Sequence, residues 1–305
     1  MASCGGDDDK GSGPNGLEQS DLTVGVLPIA DSAAVMLARS KGFFQAEGLN
    51  VKVEIIQGGA AATPKLLSGA LDATLSNYVS LFIARERKND IQIVAPAAAA
   101  QPNLFMIMVT KDSPAKTPAD LKGKRLAVNT LKNIGELSSV VTLKSAGVEA
   151  KDVRFLEYPL PNMGPALQKG DVDAAWMTEP FITGGKGKLG LRSVADTMTG
   201  PLKDFPIAGW VMTQRFTGKN PKTAAAFQRA VLKAQGLLAA DRANLEAILP
   251  TYTSIDAATA KAVAVPTFPT SLDTAEIQRV PDVMRQYGYL KEKADASAAI
   301  ADVNG

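Results

Sequence analysis

Short polar and acidic residues fall just beyond a series of apolar runs in this sequence. Asp31 and Ser32 follow the run 22–27, Gln57 and Gly59 follow 51–56, Asn77 and Tyr78 follow 72–76, and Thr130 and Asn133 follow 125–128. Each run reads as a strand and each following segment as a helix start, where backbone N–H groups point outward. Groups of this kind hold a small molecule by hydrogen bonds. Histidine is absent from all 305 residues, so serine–histidine and cysteine–histidine nucleophile systems have no general base. The single cysteine, Cys4, makes no internal disulfide, and the usual zinc and transition-metal ligand sets are missing. Asp31 and Glu179 remain as carboxylates able to give or take a proton.

Each of these residues also has a plainer reading. Capping alone explains Ser32, Thr130 and Asn133 at helix starts. Gln57 and Asn77 are equally at home as solvated loop residues. Asp31 caps a helix or meets a ligand donor, and Glu179 in the Thr-Glu-Pro turn caps a helix, makes an ion pair or meets ligand. Tyr78, Trp176, Phe181 and Trp210 fall near expected strand ends or chain crossings, where a flat apolar wall would hold a ring or alkyl chain. Core packing is the alternative for each, and Trp176 is the one singled out for ligand contact. Asn162 and Gly209 complete the candidate set. Only Lys132 is basic within these loops, against acidic Asp31 and Glu179. That balance favours a neutral or partly cationic organic ligand, such as a heterocycle, over a small inorganic anion.

The elements that must position these residues alternate. A strand over 22–27 leads to a helix ending near Gly48, a strand over 51–56, a loop over 57–63, a helix through Leu66, Leu67 and Leu71, and a strand over 72–76. This spacing predicts parallel βαβ units, with ligand at the carboxyl ends of the strands. Strands at 91–100 and 104–110 then make a first crossing. The same grammar returns with a strand over 125–128, a loop over 129–135, a helix over 136–146, a strand over 153–158, a short helix and a strand over 173–177. The segments SGALDA at 68–73 and KGDVDAA at 169–175 each place Gly and Asp ahead of a strand. Helix capping followed by a strand start accounts for that pattern locally. A return crossing is expected over 205–212, then helices over 221–240, 242–249, 257–264 and 275–287.

A chain of this length exceeds the usual single-core limit. Hydrophobic residues make up 46%, and no apolar run reaches the roughly 20 residues of a spanning helix, so a soluble chain is expected. The 33 basic and 31 acidic residues give a net charge of +2 with no basic stripe, which argues against a nucleic-acid partner.

The motifs KGFF, EGL, the Gly-rich loop after the second strand, SGALD and DLKGKRLAVNT together resemble the sulfonate, nitrate and thiamine-precursor branch of the periplasmic solute-binding proteins. These are the capture subunits of ABC importers. The resemblance runs from about residue 22 to 289 and is weaker after Gly218. It implies an α/β, two-lobed periplasmic-binding-protein-like fold of type II, each lobe a mixed sheet flanked by helices, with a ligand cleft between the lobes. Lobe 1 is expected to comprise 21–103 and 206–305 and lobe 2 to comprise 104–205, hinged near 101–104 and 205–208. It further implies a small-molecule solute and an ABC permease as partners, no cofactor and a monomer. Sulfonate or nitrate is the alternative solute class. The family also resembles yeast thiamine-pyrimidine synthases, which consume a histidine of their own; that chemistry has no histidine here. A cofactor-independent enzyme using Asp31 or Glu179 is the rival of another class. Finally, Ala2, Ser3 and Cys4 match the end of a bacterial lipobox, and 1–20 reads as a polar tether, giving a lipid-anchored extracytoplasmic protein. The alternative is that 1–16 is added sequence, since DDDK also resembles a tag-cleavage site.

Overall fold

The computed structural model describes residues 16–303, so the expected lipidation at Cys4 lies outside the described residues. The first part of the chain forms β1 (Asp21–Val26), α1 (Ala33–Ser40), α2 (Phe43–Ala46), β2 (Asn50–Ile55), α3 (Gly59–Ser68), β3 (Ala73–Asn77), α4 (Tyr78–Glu86) and β4 (Ile91–Ala99). The middle part forms β5 (Phe105–Val109), β6 (Arg125–Val128), α5 (Ile134–Ser145), β7 (Arg154–Glu157), α6 (Leu160–Lys169), β8 (Ala174–Thr178), α7 (Phe181–Leu189) and β9 (Arg192–Asp196). The chain then returns through β10 (Pro206–Thr213) into α8 (Gln214–Lys219), α9 (Pro221–Ala240), α10 (Arg242–Ile248), α11 (Ala257–Ala262) and α12 (Thr274–Gln286). Among the described residues, no helix is long and apolar enough to cross a membrane.

The strands make two sheets of five, ordered β2-β1-β3-β10-β4 and β7-β6-β8-β5-β9. In the first, β1 runs parallel to β2 and β3, and β10 lies antiparallel between β3 and β4. In the second, β6 runs parallel to β7 and β8, and β5 lies antiparallel between β8 and β9. Each sheet therefore receives, as its antiparallel member, the first strand formed after a crossing from the other. Buried aliphatic residues on β1 and β3, such as Val24, Val26 and Leu75, read as near-continuous apolar runs because helices cover both faces. Helix α9 covers one of those faces, with Phe227 stacked on Phe44 at 5.5 Å between ring centroids.

The paired Gly and Asp motifs have a common structural role. Gly69 and Gly170 end α3 and α6 in the left-handed conformation, with φ of 78° and 73°, where a side chain would be strained. Just beyond, Asp72 Oδ2 accepts the N–H of Thr23 at 2.7 Å and Asp173 Oδ2 accepts the N–H of Arg125 at 2.8 Å. Each carboxylate thereby pins the start of the neighbouring parallel strand, and Asp173 adds an ion pair with the Arg125 guanidinium at 3.0 Å.

Several elements differ from the sequence-based expectations. The single helix expected up to Gly48 breaks at Gly42, which is left-handed with φ of 71°. The loop expected over 57–63 is mostly helix, because α3 begins at Gly59. Helix α4 was not expected: 78–84 is buried throughout, so it carries no amphipathic stripe. Helix α7 was not expected either: Gly184, Gly185 and Gly187 depress its propensity.

Candidate functional site

A narrow cavity of about 30 Å³ lies between the two sheets, at the carboxyl ends of β1, β3, β6 and β8. The strand registers show that its walls are built from equivalent positions. Counting from the pinned residues Thr23 and Arg125, Leu27 and Asn129 occupy the same place. Counting from Asp72 and Asp173, Leu75 matches Trp176 and Asn77 matches Thr178. On the antiparallel strands, Ala208 faces Asn77 and Phe105 faces Thr178. All eight of these residues line the cavity.

Asp31 is the ionisable residue of that lining and is 3% exposed. Its Oδ1 has no hydrogen-bond partner among the described residues. Burial pushes the carboxyl up to about 7 from 3.8, with its own backbone N–H working against the shift. Tyr252, reaching over from beyond α10, donates its hydroxyl to Ile29 O at 2.9 Å and is itself held well above its usual range by burial and by the charge of Asp31. The capping expected of Asp31 is not observed, and the three-residue turn 30–32 carries no side-chain cap. Ser32 does not cap α1 either. Its Oγ accepts the N–H of Leu27 at 3.1 Å, which closes the bend that presents Asp31.

The opposite wall is aromatic. Trp176 stacks on Phe105 with centroids 4.9 Å apart and planes 15° from parallel, and its Nε1 donates to Thr197 Oγ1 at 3.3 Å. The ring is therefore fixed at both its face and its polar end. Thr178 Oγ1, 1% exposed as a residue, is the second buried lining atom with no partner among the described residues. The cavity thus sets an unpaired carboxylate oxygen from one wall against an unpaired hydroxyl and an indole from the other.

Hydrogen bonds span the boundary around the cavity. Asn129 Nδ2 donates to Gln57 O at 3.1 Å, Tyr289 donates its hydroxyl to Glu136 Oε1 at 2.8 Å, and Ala264 N–H donates to Glu179 Oε1 at 3.2 Å. Gly58 passes so close to the facing loop that a Cβ there would sit 3.0 Å from Asn129 Nδ2.

Of the residues singled out from sequence, the structure brings Asp31, Gly59, Asn77 and Trp176 into the lining. Asn77 also caps α4 through its Oδ1, at 2.9 Å from Ser80 N. The others are placed differently. Gln57 turns its side chain outward and contributes only its carbonyl. Asn133 caps α5 and spends its amide on Asn129 Oδ1 and Thr130 Oγ1, at 2.6 and 2.8 Å, so it braces Asn129 while Thr130 serves as its second acceptor; neither lines the cavity. Tyr78 is buried beside Gly209 on β10, where a Cβ would meet its hydroxyl at 2.9 Å, and neither residue lines the cavity. Asn162 is exposed on α6. Trp210 is fully buried under α9, edge-on to Phe227 at 6.2 Å, and belongs to the core. Glu179 lies outside the lining: it accepts from Thr183 N and Oγ1 and from Ala264 N, and burial holds its carboxyl above its usual range despite those bonds. Lys132 is exposed and also outside the lining, so among the described residues no Lys or Arg faces the cavity. No group of His, Cys, Asp and Glu able to hold a metal occurs among the described residues.

Asn129, Thr178 and Phe105 were not singled out from sequence. The signal for Thr178 was present: aligning SGALDATLSN on KGDVDAAWMT puts it opposite Asn77. For Asn129 and Phe105 the signal is the register, which the sequence does not display.

The family model described as NMT1/THI5 like matches residues 29–243. A taurine-binding periplasmic protein of Escherichia coli K12 is 26% identical over 215 residues, covering 70% of this chain and 65% of that protein. The nitrate/nitrite binding protein NrtA of Nostoc sp. PCC 7120 is 25% identical over 240 residues, covering 72% of this chain and 54% of that protein. The matched stretches therefore span less than two thirds of those relatives' own lengths. Among solved structures, the alkanesulfonate-binding protein SsuA of Xanthomonas axonopodis pv. citri, bound to MOPS, superposes with a TM-score of 0.79 at 18% identity, over 93% of this chain and 99% of that one. The likeness shows the same two-sheet α/β fold.

Proposed function

The chain belongs to the NMT1/THI5-like family, and on that footing we propose that it is an extracytoplasmic receptor that captures a small organic molecule between two lobes and hands it to an ABC importer. Lobe 1 would comprise 21–103 and 206–305, and lobe 2 would comprise 104–205, with the paired crossings near 101–104 and 205–208 as the hinge. One observation carries this reading. Unpaired, buried polar atoms of Asp31 and Thr178 come from opposite sheets and line one cavity beside the Phe105–Trp176 wall. Such atoms are unfavourable when empty-handed and favourable when bonded, so a molecule that satisfies both stabilises the lobes together.

Capture would work as a shift between open and closed forms. The hydrogen bonds across the boundary contribute about 1 kcal/mol each, and about 1.5–3 kcal/mol where Glu136 or Glu179 accepts. Ligand that bridges both walls adds to these. The reaction is binding without turnover: Glu179 is committed to Thr183 and Ala264, which leaves Asp31 without a second carboxylate in the cavity. Both walls come from one chain, in keeping with a monomer, and Cys4 would carry the lipid that holds it at the membrane surface. The names of the relatives make a sulfonate or nitrate the alternative solute; the lining, with Asp31 and no basic residue among those described, favours a heterocyclic or aromatic molecule.

Thermal shift against pyrimidines and other heterocycles, aromatic carboxylates, alkyl sulfonates, nitrate and small amines tests the receptor reading. A solute at one hundred times its Kd adds about 2.7 kcal/mol, a shift of several degrees. A selective stabiliser that is recovered unchanged supports capture. Chemical conversion of the stabiliser contradicts it.

A further inference from the structure

We infer that the captured solute is an organic cation or N–H-bearing base, held by Asp31 from one wall and the Thr178 hydroxyl from the other, and that the cavity rejects oxyanions. The inference rests on the receptor reading and narrows it to a charge.

The hydrogen-bonding inventory of the lining carries it. An ionised carboxylate only accepts, so Asp31 Oδ1, unpartnered and enclosed, calls for a donor. Thr178 Oγ1 can accept a second N–H or donate to a ring nitrogen. Of the lining's side-chain donors, Trp176 gives its indole N–H to Thr197 and Asn129 gives one amide hydrogen to Gln57 O, which leaves the Asn77 amide and the Thr178 hydroxyl to a ligand. No Lys or Arg lines the cavity among the described residues, so an oxyanion would find no counter-charge and would share the space with the Asp31 carboxylate. The Phe105–Trp176 stack and the aliphatic Leu27, Leu75 and Ala208 make the rest of the wall apolar.

The test is titration calorimetry of the full chain with two matched sets at pH 8. One set is guanidinium, benzamidinium and 2-aminopyridine; the other is nitrate, benzenesulfonate and taurine. The expected result is binding confined to the first set. Asp31→Asn should weaken that binding by roughly thirtyfold or more and Thr178→Val by roughly fivefold, the ranges for a charged and a neutral hydrogen bond. Asp31→Asn keeps the side-chain shape, and its folding is checked by circular dichroism. Should it fail to fold, the charge preference of the wild-type chain decides alone.

Binding of nitrate, benzenesulfonate or taurine by wild type, or affinity for them that rises in Asp31→Asn, would overturn the charge assignment while leaving the receptor reading in place. Absence of any binding in the first set would also overturn it. The receptor reading would fall separately, through silence across the wider thermal-shift panel.

Discussion

The two lobes are built on one plan and equipped differently. Both start a parallel strand on a carboxylate, Asp72 in one and Asp173 in the other, and both receive an antiparallel strand from the opposite lobe. Eight residues beyond the pinned Thr23 and Arg125 stand Asp31 and Asn133. Asn133 satisfies itself completely as a helix cap and a brace for Asn129, whereas Asp31 is buried with an oxygen left over. At the strand ends, lobe 1 presents Leu27, Leu75, Asn77 and Ala208 where lobe 2 presents Asn129, Trp176, Thr178 and Phe105. Lobe 1 contributes the charge and a smooth aliphatic surface, and lobe 2 the aromatic wall and a free hydroxyl. A duplicated scaffold can thus acquire a site by leaving one position unsatisfied on one side and enlarging its counterparts on the other.

The largest effect separates scaffold from site. Trp210→Ala in the lobe 1 core should destabilise the chain by about 3–5 kcal/mol in denaturant unfolding, with the solute affinity of the folded fraction retained. Trp176→Leu, which gives lobe 2 its lobe 1 counterpart, should instead lower solute affinity at least tenfold while destabilising less, because a large apolar side chain still fills the space.

Replacing Asp31 by the Asn of its counterpart tests the unsatisfied position. With its carboxyl raised from 3.8 to about 7, Asp31 binds a proton more tightly in the folded state. Its contribution is fully present below pH 4 and is lost as pH rises through 7, a swing of roughly 4 kcal/mol at most. Ligand-free wild type should therefore lose stability between pH 4 and 7, and Asp31→Asn should flatten that slope and raise Tm at pH 8. Asp173 acts with the opposite sign: its side-chain bond to Arg125 holds it below the usual carboxylate range against the opposing effect of burial, so its contribution is lost as pH falls. The two ranges separate in a pH series of melts.

Smaller effects follow at the boundary. Tyr289→Phe and Asn129→Ala remove one interlobe hydrogen bond each, about 1.5–3 and about 1 kcal/mol respectively, and should weaken solute binding at least about fivefold. The former does so without touching the cavity. Smallest is the difference between Asp72→Ala and Asp173→Ala. Both lose a bond to a strand N–H, about 1 kcal/mol, and the extra ion pair of the half-exposed Asp173 should add only a few tenths.

Much of this was legible in the sequence, for physical reasons. The strands 22–27, 51–56 and 125–128 are apolar runs bounded by Gly, Pro or Asn, and the Gly–Asp motifs marked the repeat. Residues 78–84 hid a helix because burial on every side erases periodicity, and Glu179 looked like a site residue because a buried carboxylate reads alike as cap or ligand. Asp31 and Trp176 were identifiable from their place after or within strands. Asn129 was not, because its role depends on Gln57, 72 residues away across the boundary. Trp176 and Trp210 both sit within buried strands, and only packing under α9 assigns the second to the core.

The central claim, that two unlike lobes close on a solute, is tested most directly by solution X-ray scattering of the chain alone and saturated with the strongest stabiliser from the thermal-shift panel. A smaller radius of gyration in the saturated sample, following the calorimetric binding curve, is the expected result. Identical scattering at saturation, with Asp31 still needed for binding, would contradict closure and leave a rigid pocket in its place.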